Sequence, residues 1–311
     1  MFKKYYLPVG LILAVAFSLL LPSPGIYLKN IDAIQWFIIT IFLINGFQFK
    51  NSELNLKKSS MMLILVFGIV NSLIFAPLLG VLFSKLFSLN SESTLGLIVT
   101  ASVPPTLSSG IVITQQSNGN VSLAILLTLF LNLLGILILP LTLNTAFNLS
   151  VELDLDTMRL FLNLIKIVLA PFLIGFLLRK LIKVKSIPTI VNYIPSTCVI
   201  LTVLASTSYS RAVLLETPLV SLPMIVLAVS VLHLILFFSA FFGSKILNLA
   251  PSERNALVFV SSQKTLPLAI SVLTVLKTDI ALALIICLFF HFIQLLLDAF
   301  LAEKIKVTSA V

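Results

Sequence analysis

Two short polar stretches interrupt long apolar runs, and they are the places where this chain can do chemistry. The first contributes Pro104, Pro105, Ser108 and Ser109, and the second contributes Ser261, Ser262, Gln263, Lys264 and Thr265. Proline removes backbone donors and breaks helices, so each stretch is predicted to leave free backbone groups beside polar side chains. This pattern predicts the non-covalent binding of an ion or a polar solute at two broken helices.

Lys264 lies in the middle of the second stretch, too deep in its apolar run to reach water easily. An intramembrane cation costs several kcal/mol unless it is paired or hydrated, so it is a functional candidate by default. A structural role, in which the ammonium satisfies carbonyl groups freed by the break, is the alternative. The two roles overlap, and Lys264 is either a fixed charge or a group that releases a proton during a transport cycle.

Candidate partners of Lys264 lie on the last apolar run. His291, Gln294 and Asp298 are spaced i, i+3 and i+7, which places them within about 60° of one another on a helix. Thr128 and Asn132 are spaced i, i+4 and likewise share a helix face. Asp298 is close enough to the predicted cytoplasmic end to serve as an interface cap instead. The second histidine, His233, is interpreted as a satisfied core residue.

The composition defines the class of protein that positions these residues. Of 311 residues, 59% are hydrophobic and 10% are charged, with 20 basic and 11 acidic side chains and a mean hydropathy of +1.17. Average globular chains carry about 25% charge, so a soluble enzyme, a disordered chain and a collagen-like rod are excluded. The sequence predicts an all-α polytopic membrane protein, whose partners are the lipid bilayer and a small molecule or ion.

The sequence contains no motif that is typical of another functional class. The net charge of +9 comes from short cationic clusters between apolar runs, which sets membrane orientation and does not predict nucleic-acid binding. CxxC, HExxH, GxSxG and GxxxxGK[ST] are absent, so we expect no catalytic residues, no metal site, no cofactor and no ATP-driven transport. Cys198 and Cys287 are interpreted as buried thiols. An intramembrane aspartyl protease needs two carboxylates at mid-depth, and only Asp298 is near.

The apolar runs predict ten spans, since a span needs about 20 apolar residues. Their approximate bounds are Tyr5–Pro22, Ala33–Phe49, Ser60–Phe87, Ser93–Ser117, Asn120–Phe147, Thr157–Ile182, Pro188–Thr207, Leu219–Leu249, Glu253–Leu276 and Ile280–Ala302. With both termini cytoplasmic, 13 of the 20 basic residues fall inside, 5 fall outside and 2 fall within spans. We therefore expect a multi-pass protein of the cell inner or plasma membrane. Lys183 and Lys306 should face the cytoplasm, whereas Asp154 and Glu216 should face outward.

The two breaks lie 157 residues apart, each in the fourth span of a five-span half. Because five is odd, the second half starts on the opposite side of the membrane, and the halves are predicted to be two inverted five-helix repeats with discontinuous crossing helices 4 and 9. Broken helices at matching positions of inverted repeats mark transport sites. Two unrelated proline kinks are the alternative.

Four short motifs are distributed along most of the chain. They are Asn45-Gly46 with Lys50; Pro104-Pro105 and Ser108-Ser109 with Gly119-Asn120; Pro171 with Gly175 and Arg179; and Ser261-Ser262-Gln263-Lys264-Thr265-Leu266. Together they resemble the bile acid:sodium symporter family (solute carrier family 10), most closely the branch of its seventh member and bacterial relatives.

The resemblance implies a single transmembrane transporter domain over residues 1–311, built as a panel and a core. The panel would comprise about 5–49 and 157–207, and the core about 60–147 and 219–302. Sodium symporters of the family bind two Na⁺ ions behind the crossing, using a glutamate of span nine. Here Val260 stands at the position of that glutamate and Lys264 at that of a glutamine, although Thr128 matches a family threonine.

Carboxyl oxygens, not ammonium groups, bind hard cations, so these two substitutions argue against sodium as a strictly required coupling ion. The charge of Lys264 and the two helix N-termini favour an anionic solute. We expect a secondary transporter that moves an organic anion or a similar small solute by alternating access. The alternatives are a non-transporting membrane regulator of calcium or ion homeostasis and a Na⁺-coupled symporter with altered sites. The sequence leaves the oligomeric state open.

Overall fold

The computed structural model of the protein describes residues 2–49, 59–150, 155–182, 188–216, 221–276 and 280–307. Within these ranges the structure is helical and contains no β-strand. The helices are α1 (Phe2–Leu20), α2 (Ser23–Asn30), α3 (Ala33–Gln48), α4 (Ser59–Ile69), α5 (Ala76–Leu86), α6 (Ser91–Ser102), α7 (Ser109–Gln116), α8 (Val121–Ser150), α9 (Thr157–Leu164), α10 (Ala170–Ile182), α11 (Ile194–Tyr209), α12 (Arg211–Glu216), α13 (Ser221–Ile246), α14 (Pro251–Ser262), α15 (Leu266–Val275) and α16 (Ala281–Lys304).

Two short segments join consecutive helices without ending the helical rod. The segments Val70–Phe75 and Ile165–Leu169 are π-helical, so α4 continues into α5 and α9 continues into α10. A 3₁₀ turn, Thr189–Tyr193, precedes α11. Single π-helical turns inside α-helices are often found at functional sites, and the first of these turns contacts the site described below.

Six helical segments of the described residues are long and apolar enough to cross a membrane. They are Met61–Leu86, Val121–Ser150, Thr157–Ile182, Leu222–Ile246, Pro251–Val275 and Ala281–Lys304. A pair bent by 100°, Val9–Leu20 with Ser23–Asn30, raises the number to seven, and α3 and α11 are shorter apolar helices. The predicted all-α, multi-pass class is therefore confirmed. The count of ten spans and the inverted repeat stay predictions.

One group of helices, α1, α3, α10 and α11, packs together through close backbone contacts. A Cβ atom added to Gly175 would lie 1.9 Å from the Leu43 carbonyl oxygen, and one added to Gly46 would lie 2.0 Å from that of Phe172. Arg179 on α10 donates from Nη1 to the carbonyl oxygens of α3 at Phe47, at 3.0 Å, and Gln48, at 2.9 Å. Two motifs of the family resemblance thus hold α3 against α10.

The other helices, α4–α8 and α13–α16, form a second packed group that contains both breaks. The same turn precedes each broken segment of this group. Ser88 after α5 and Asn248 after α13 are left-handed, with φ of 48° and 53°. The Leu89 amide donates to the Ser84 carbonyl and the Leu249 amide to the Ser244 carbonyl, each at 3.0 Å. These are Schellman-type helix ends 160 residues apart in the chain.

Candidate functional site

The first break separates α6, which ends at Ser102, from α7, which begins at Ser109. Pro104 and Pro105 lie in this segment and are buried. Neither proline has an amide hydrogen, so the helix ends before them and the chain crosses the centre of the second helix group in extended form. The interruption predicted from the two prolines is observed.

The second break separates α14, which ends at Ser262, from α15, which begins at Leu266. Gln263 and Thr265 have extended ψ values of 157° and 118°, and Pro267 lies in the first turn of α15. The amide of Thr265 donates to the carbonyl oxygen of Pro104 at 3.0 Å. The two breaks therefore touch through their backbones, as the crossing of discontinuous helices requires.

Gln263 joins the two breaks through its side chain. Its Oε1 accepts hydrogen bonds from Thr106 Oγ1 at 2.8 Å and Ser109 Oγ at 2.6 Å. Its Nε2 donates to Asp298 Oδ2 on α16 at 2.6 Å. Gln263 and Asp298 are both fully buried, so the amide links a buried carboxylate to the hydroxyl groups of the first break.

Gln294 on α16 clamps the backbone of Lys264. Its Oε1 accepts from the Lys264 amide at 2.8 Å, and its Nε2 donates to the Lys264 carbonyl at 2.8 Å and to His291 Nδ1 at 2.9 Å. The Lys264 amide can only donate, which fixes the orientation of the Gln294 amide. His291 Nδ1 is then an acceptor, so the ring carries its hydrogen on Nε2. That Nε2 has no hydrogen-bond partner among the described residues.

The ammonium of Lys264 points to the π-helical turn between α4 and α5. Nζ donates to the backbone carbonyl of Ser72 and to Ser72 Oγ, the latter at 3.2 Å. Lys264 is 1% exposed and forms no ion pair with Asp298. The expectation that Asp298 pairs with Lys264 is therefore wrong, because the side chain of Gln263 binds that carboxylate instead.

Asp298 pairs with His233 across α16 and α13. The distance from His233 Nε2 to Asp298 Oδ1 is 2.8 Å, and both side chains are 0% exposed. His233 is a core residue as predicted, but its partner is a carboxylate. The alternative in which Asp298 caps the membrane interface is also wrong, since Asp298 faces inward on the same face of α16 as His291 and Gln294.

The remaining predicted residues support the breaks from behind. Asn132 on α8 donates from Nδ2 to the Pro105 carbonyl at 3.0 Å and to the Thr128 carbonyl at 2.8 Å. Thr128 is buried on the same face, and its Oγ1 has no partner among the described residues. Ser261 Oγ accepts from Asn71 Nδ2 at 3.0 Å, and Ser262 Oγ donates back to the Val258 carbonyl at 2.8 Å.

A small cavity opens between the two helix groups, in front of the crossing. Of the predicted site residues it includes Ser108, Ser109, Thr265 and His291. The others, namely Pro104, Pro105, Thr128, Asn132, Ser261, Ser262, Gln263, Lys264 and Gln294, are not among its lining residues. Sequence reasoning missed Asn45 on α3 and Ser196 on α11 as site residues. Asn45 is an isolated polar side chain in the apolar run of α3, whereas Ser196 lies beside Thr197 near the start of α11 and carries no distinct signal.

Comparison with known proteins places the chain among membrane transporters. A model of the SBF-like CPA transporter family matches residues 5–307. The chain is 28% identical over 323 residues to "Probable sodium/metabolite cotransporter BASS4, chloroplastic" of Oryza sativa subsp. indica, covering 97% of this chain and 75% of that protein. It is 29% identical over 322 residues to "Sodium/bile acid cotransporter 7-A" of Xenopus laevis (98% and 92%) and 27% identical over 320 residues to "Sodium/bile acid cotransporter 7" of Mus musculus (98% and 93%).

Proposed function

The chain belongs to the SBF-like CPA transporter family, and we propose that it is a secondary transporter for an organic anion or a similar small solute. The resemblance to bile acid:sodium symporters is confirmed by the relatives, which are cotransporters and not enzymes. The protein is thus a multi-pass membrane protein of a transporter family. The solute, the coupling ion and the transport cycle are the parts that we propose.

The observation that supports an anionic solute is the unpaired Nε2–H donor of His291. His291 lines the cavity and is 5% exposed as a residue. Its Nε2–H group is buried and has no hydrogen-bond partner among the described residues. A buried donor without an acceptor costs about 1–3 kcal/mol, and a solute anion bound in the cavity would remove this cost. The N-termini of α7 and α15, at Ser109 and Leu266, begin beside the same cavity and add positive dipole ends.

For the transport cycle we propose ten spans in two inverted five-helix repeats, with a core rocking against a panel. The repeated turns at Ser88 and Asn248, followed in each case by a broken helix, support the repeat. The position of the cavity between the two helix groups supports the division into panel and core. Alternating access at a fixed site between two such bodies is the usual cycle for transporters with inverted repeats.

We also propose that transport does not strictly require Na⁺. Lys264 supplies a cation behind the crossing, and that cation is already bound by two oxygen atoms of Ser72. Val260, at the position of the family glutamate, is buried and apolar. A Na⁺-coupled symporter with altered sites would have to use Asp298.

The proposed orientation places both termini in the cytoplasm of a cell inner or plasma membrane. In this orientation Lys306 and Lys183 face the cytoplasm, and Glu216 and Asp154 face outward. Lys306 and Glu216 are within the described residues, whereas Lys183 and Asp154 lie outside them. Cysteine labelling at these four positions from either side of the membrane tests the orientation. Labelling of a Lys183→Cys variant from outside would contradict it.

The test of the anion site uses purified protein and a panel of radiolabelled organic anions, organic cations and neutral solutes. We expect thermal stabilisation by, and uptake of, one or more anions in proteoliposomes. Because a hydrogen bond to a charged group contributes about 1.5–3 kcal/mol, His291→Leu should lower the affinity by about 10- to 100-fold. Leu13→Ala, at an exposed position of α1, is the control. Selective binding of cations, or normal affinity in His291→Leu, would contradict the proposal.

A further inference from the structure

We propose that Asp298 is the proton-binding site of this protein, and that Gln263 transmits its protonation to the cavity so that a proton and an anion are transported together. This inference rests on the proposed transport function. It starts from an unbroken chain of hydrogen bonds that runs from His233 to Asp298, to Gln263, and to Thr106 and Ser109. Thr106 and Ser109 line the cavity, whereas Asp298 and His233 are fully buried.

The hydrogen-bond partners decide where an added proton binds. His233 Nδ1 is buried and has no partner among the described residues, whereas Nε2 faces Asp298 Oδ1 at 2.8 Å. A proton placed on Nδ1 would create a buried ion pair whose new N–H group has no acceptor among the described residues, whereas a proton on Asp298 leaves both side chains uncharged. The neutral ring with its hydrogen on Nε2 is therefore retained. The proton instead binds Asp298 Oδ2, the oxygen that faces Gln263.

Protonation of Oδ2 reverses the direction of every bond beyond it. In the ionised state the Gln263 Nε2 group donates to Oδ2, and Oε1 accepts from the hydroxyl groups of Thr106 and Ser109. A protonated Oδ2–H is a donor and needs an acceptor, which only Oε1 of a rotated amide provides. The Nε2 hydrogens then face the two hydroxyl oxygens. Because Thr106 Oγ1 and Ser109 Oγ lie 2.6 Å apart, one released hydroxyl hydrogen binds the neighbouring hydroxyl oxygen and the other becomes a donor to a solute in the cavity.

This reversal couples the two ligands without a direct contact between them. One proton neutralises Asp298, and one additional O–H donor becomes available to an anion beside the N-terminus of α7. Each ligand therefore increases the affinity for the other by the same factor, as linkage requires. For a monovalent anion the pair of ligands carries no net charge, so symport would be electroneutral.

The other charged groups around Asp298 leave this assignment intact. The buried titratable side chains on α16 and the segments that pack against it are His233, Lys264, His291, Cys198 and Cys287. Lys264 is bound by Ser72, His291 by Gln294, and Cys287 contacts Thr100. Exposed or half-buried charged groups lie at the ends of the same helices, namely Glu92, Arg211, Glu216, Lys245, Glu253, Arg254, Glu303 and Lys304. Asp298 is the one buried carboxyl group among the described residues.

The proton site is tested by pH-difference infrared spectroscopy on the full-length protein in lipid, which requires no solute. We expect the absorption of a protonated carboxylic acid that exchanges slowly with deuterium to appear as the pH falls. It should be lost in Asp298→Asn and kept in Glu303→Gln, which changes an exposed acid of the same helix. Incorporation of ¹³C-labelled aspartate should shift this absorption in the wild type, so the assignment does not depend on the folding of a variant. Absence of the absorption, or its persistence in Asp298→Asn, would overturn the proposal.

The coupling is tested by uptake of whichever anion of the panel the wild type transports. An acidic exterior should stimulate uptake at least tenfold in the wild type. It should have no effect in Asp298→Asn, whose amide mimics the protonated acid, or in Gln263→Leu, which lacks the connecting amide. Equal stimulation in all three proteins would overturn the coupling. Failure of every anion to be transported would refute the transport function while leaving the infrared result to decide the proton site.

Discussion

The two breaks share one scaffold and differ in chemistry. At an offset of 160 residues, the buried Val103 and Pro104 of the first break occupy the positions of Gln263 and Lys264 in the second. Pro104 of the first break packs against Gly135, where an added Cβ would come within 2.7 Å of it, whereas Gln263 and Lys264 of the second break form hydrogen bonds to other helices. The first break therefore places hydroxyl groups at the cavity, and the second places a buried amide and an ammonium group behind it.

The largest effect is expected from removal of the charge that only the second break contains. Lys264→Ala should lower uptake by at least about tenfold, since loss of about 1.4 kcal/mol of favourable interaction corresponds to that factor. Ethylammonium in the assay buffer should restore part of the activity by occupying the vacated space next to Ser72. Lys166→Ala, which changes an exposed lysine, is the matched control and should be silent. Normal uptake in Lys264→Ala would mean that the two breaks do not differ in function.

A smaller effect is expected from Gln263→Leu, which gives the second break an apolar side chain where the first break has Val103. Asp298 would lose its donor at 2.6 Å, and loss of a hydrogen bond to a charged group destabilises a protein by about 1.5–3 kcal/mol. The free energy of unfolding in detergent measures this loss. Gln115→Leu, at an exposed position of α7, is the control and should change stability little. Equal stability of the two variants would show that the connecting amide is energetically unimportant.

The smallest effect concerns the two left-handed turns, at Ser88 and at Asn248, that precede the broken segments. Ser88→Gly and Asn248→Gly should both stabilise the protein, because left-handed φ values cost other residues up to about 1–2 kcal/mol. The gain should be larger at Ser88, since asparagine tolerates this region better than serine does. Melting temperatures of the purified variants give the comparison. Destabilisation at either position would argue that the turns are not equivalent.

The sequence predicted the positions of both breaks because proline acts locally. Pro104 and Pro105 end α6 whatever surrounds them, and α14 ends at Ser262 just before Gln263, as expected. The shared face of His291, Gln294 and Asp298 was predicted as well, since all three are buried together and follow from helical periodicity alone.

The partners of these residues could not be predicted, because they depend on how helices pack. Helical periodicity places Asp298 on the face of α16 that carries His291 and Gln294, but it does not show whether the ammonium of Lys264 or the amide of Gln263 binds that carboxylate. The binding of Lys264 to Ser72 depends on a π-helical turn, for which Val70–Phe75 carries no sequence signal that we recognised. His233 and Asp298 are 65 positions apart, so their contact is visible only in three dimensions.

The central claim is that the ammonium of Lys264 takes the place of a coupling sodium ion. The most direct measurement is uptake of a transported anion into proteoliposomes at fixed pH, with an inward Na⁺ gradient compared with an equal choline gradient, for the wild type and Lys264→Gln. We predict equal uptake by the wild type under both gradients and greatly reduced uptake by Lys264→Gln. Strong stimulation of the wild type by Na⁺, or unchanged uptake by Lys264→Gln, would contradict the claim.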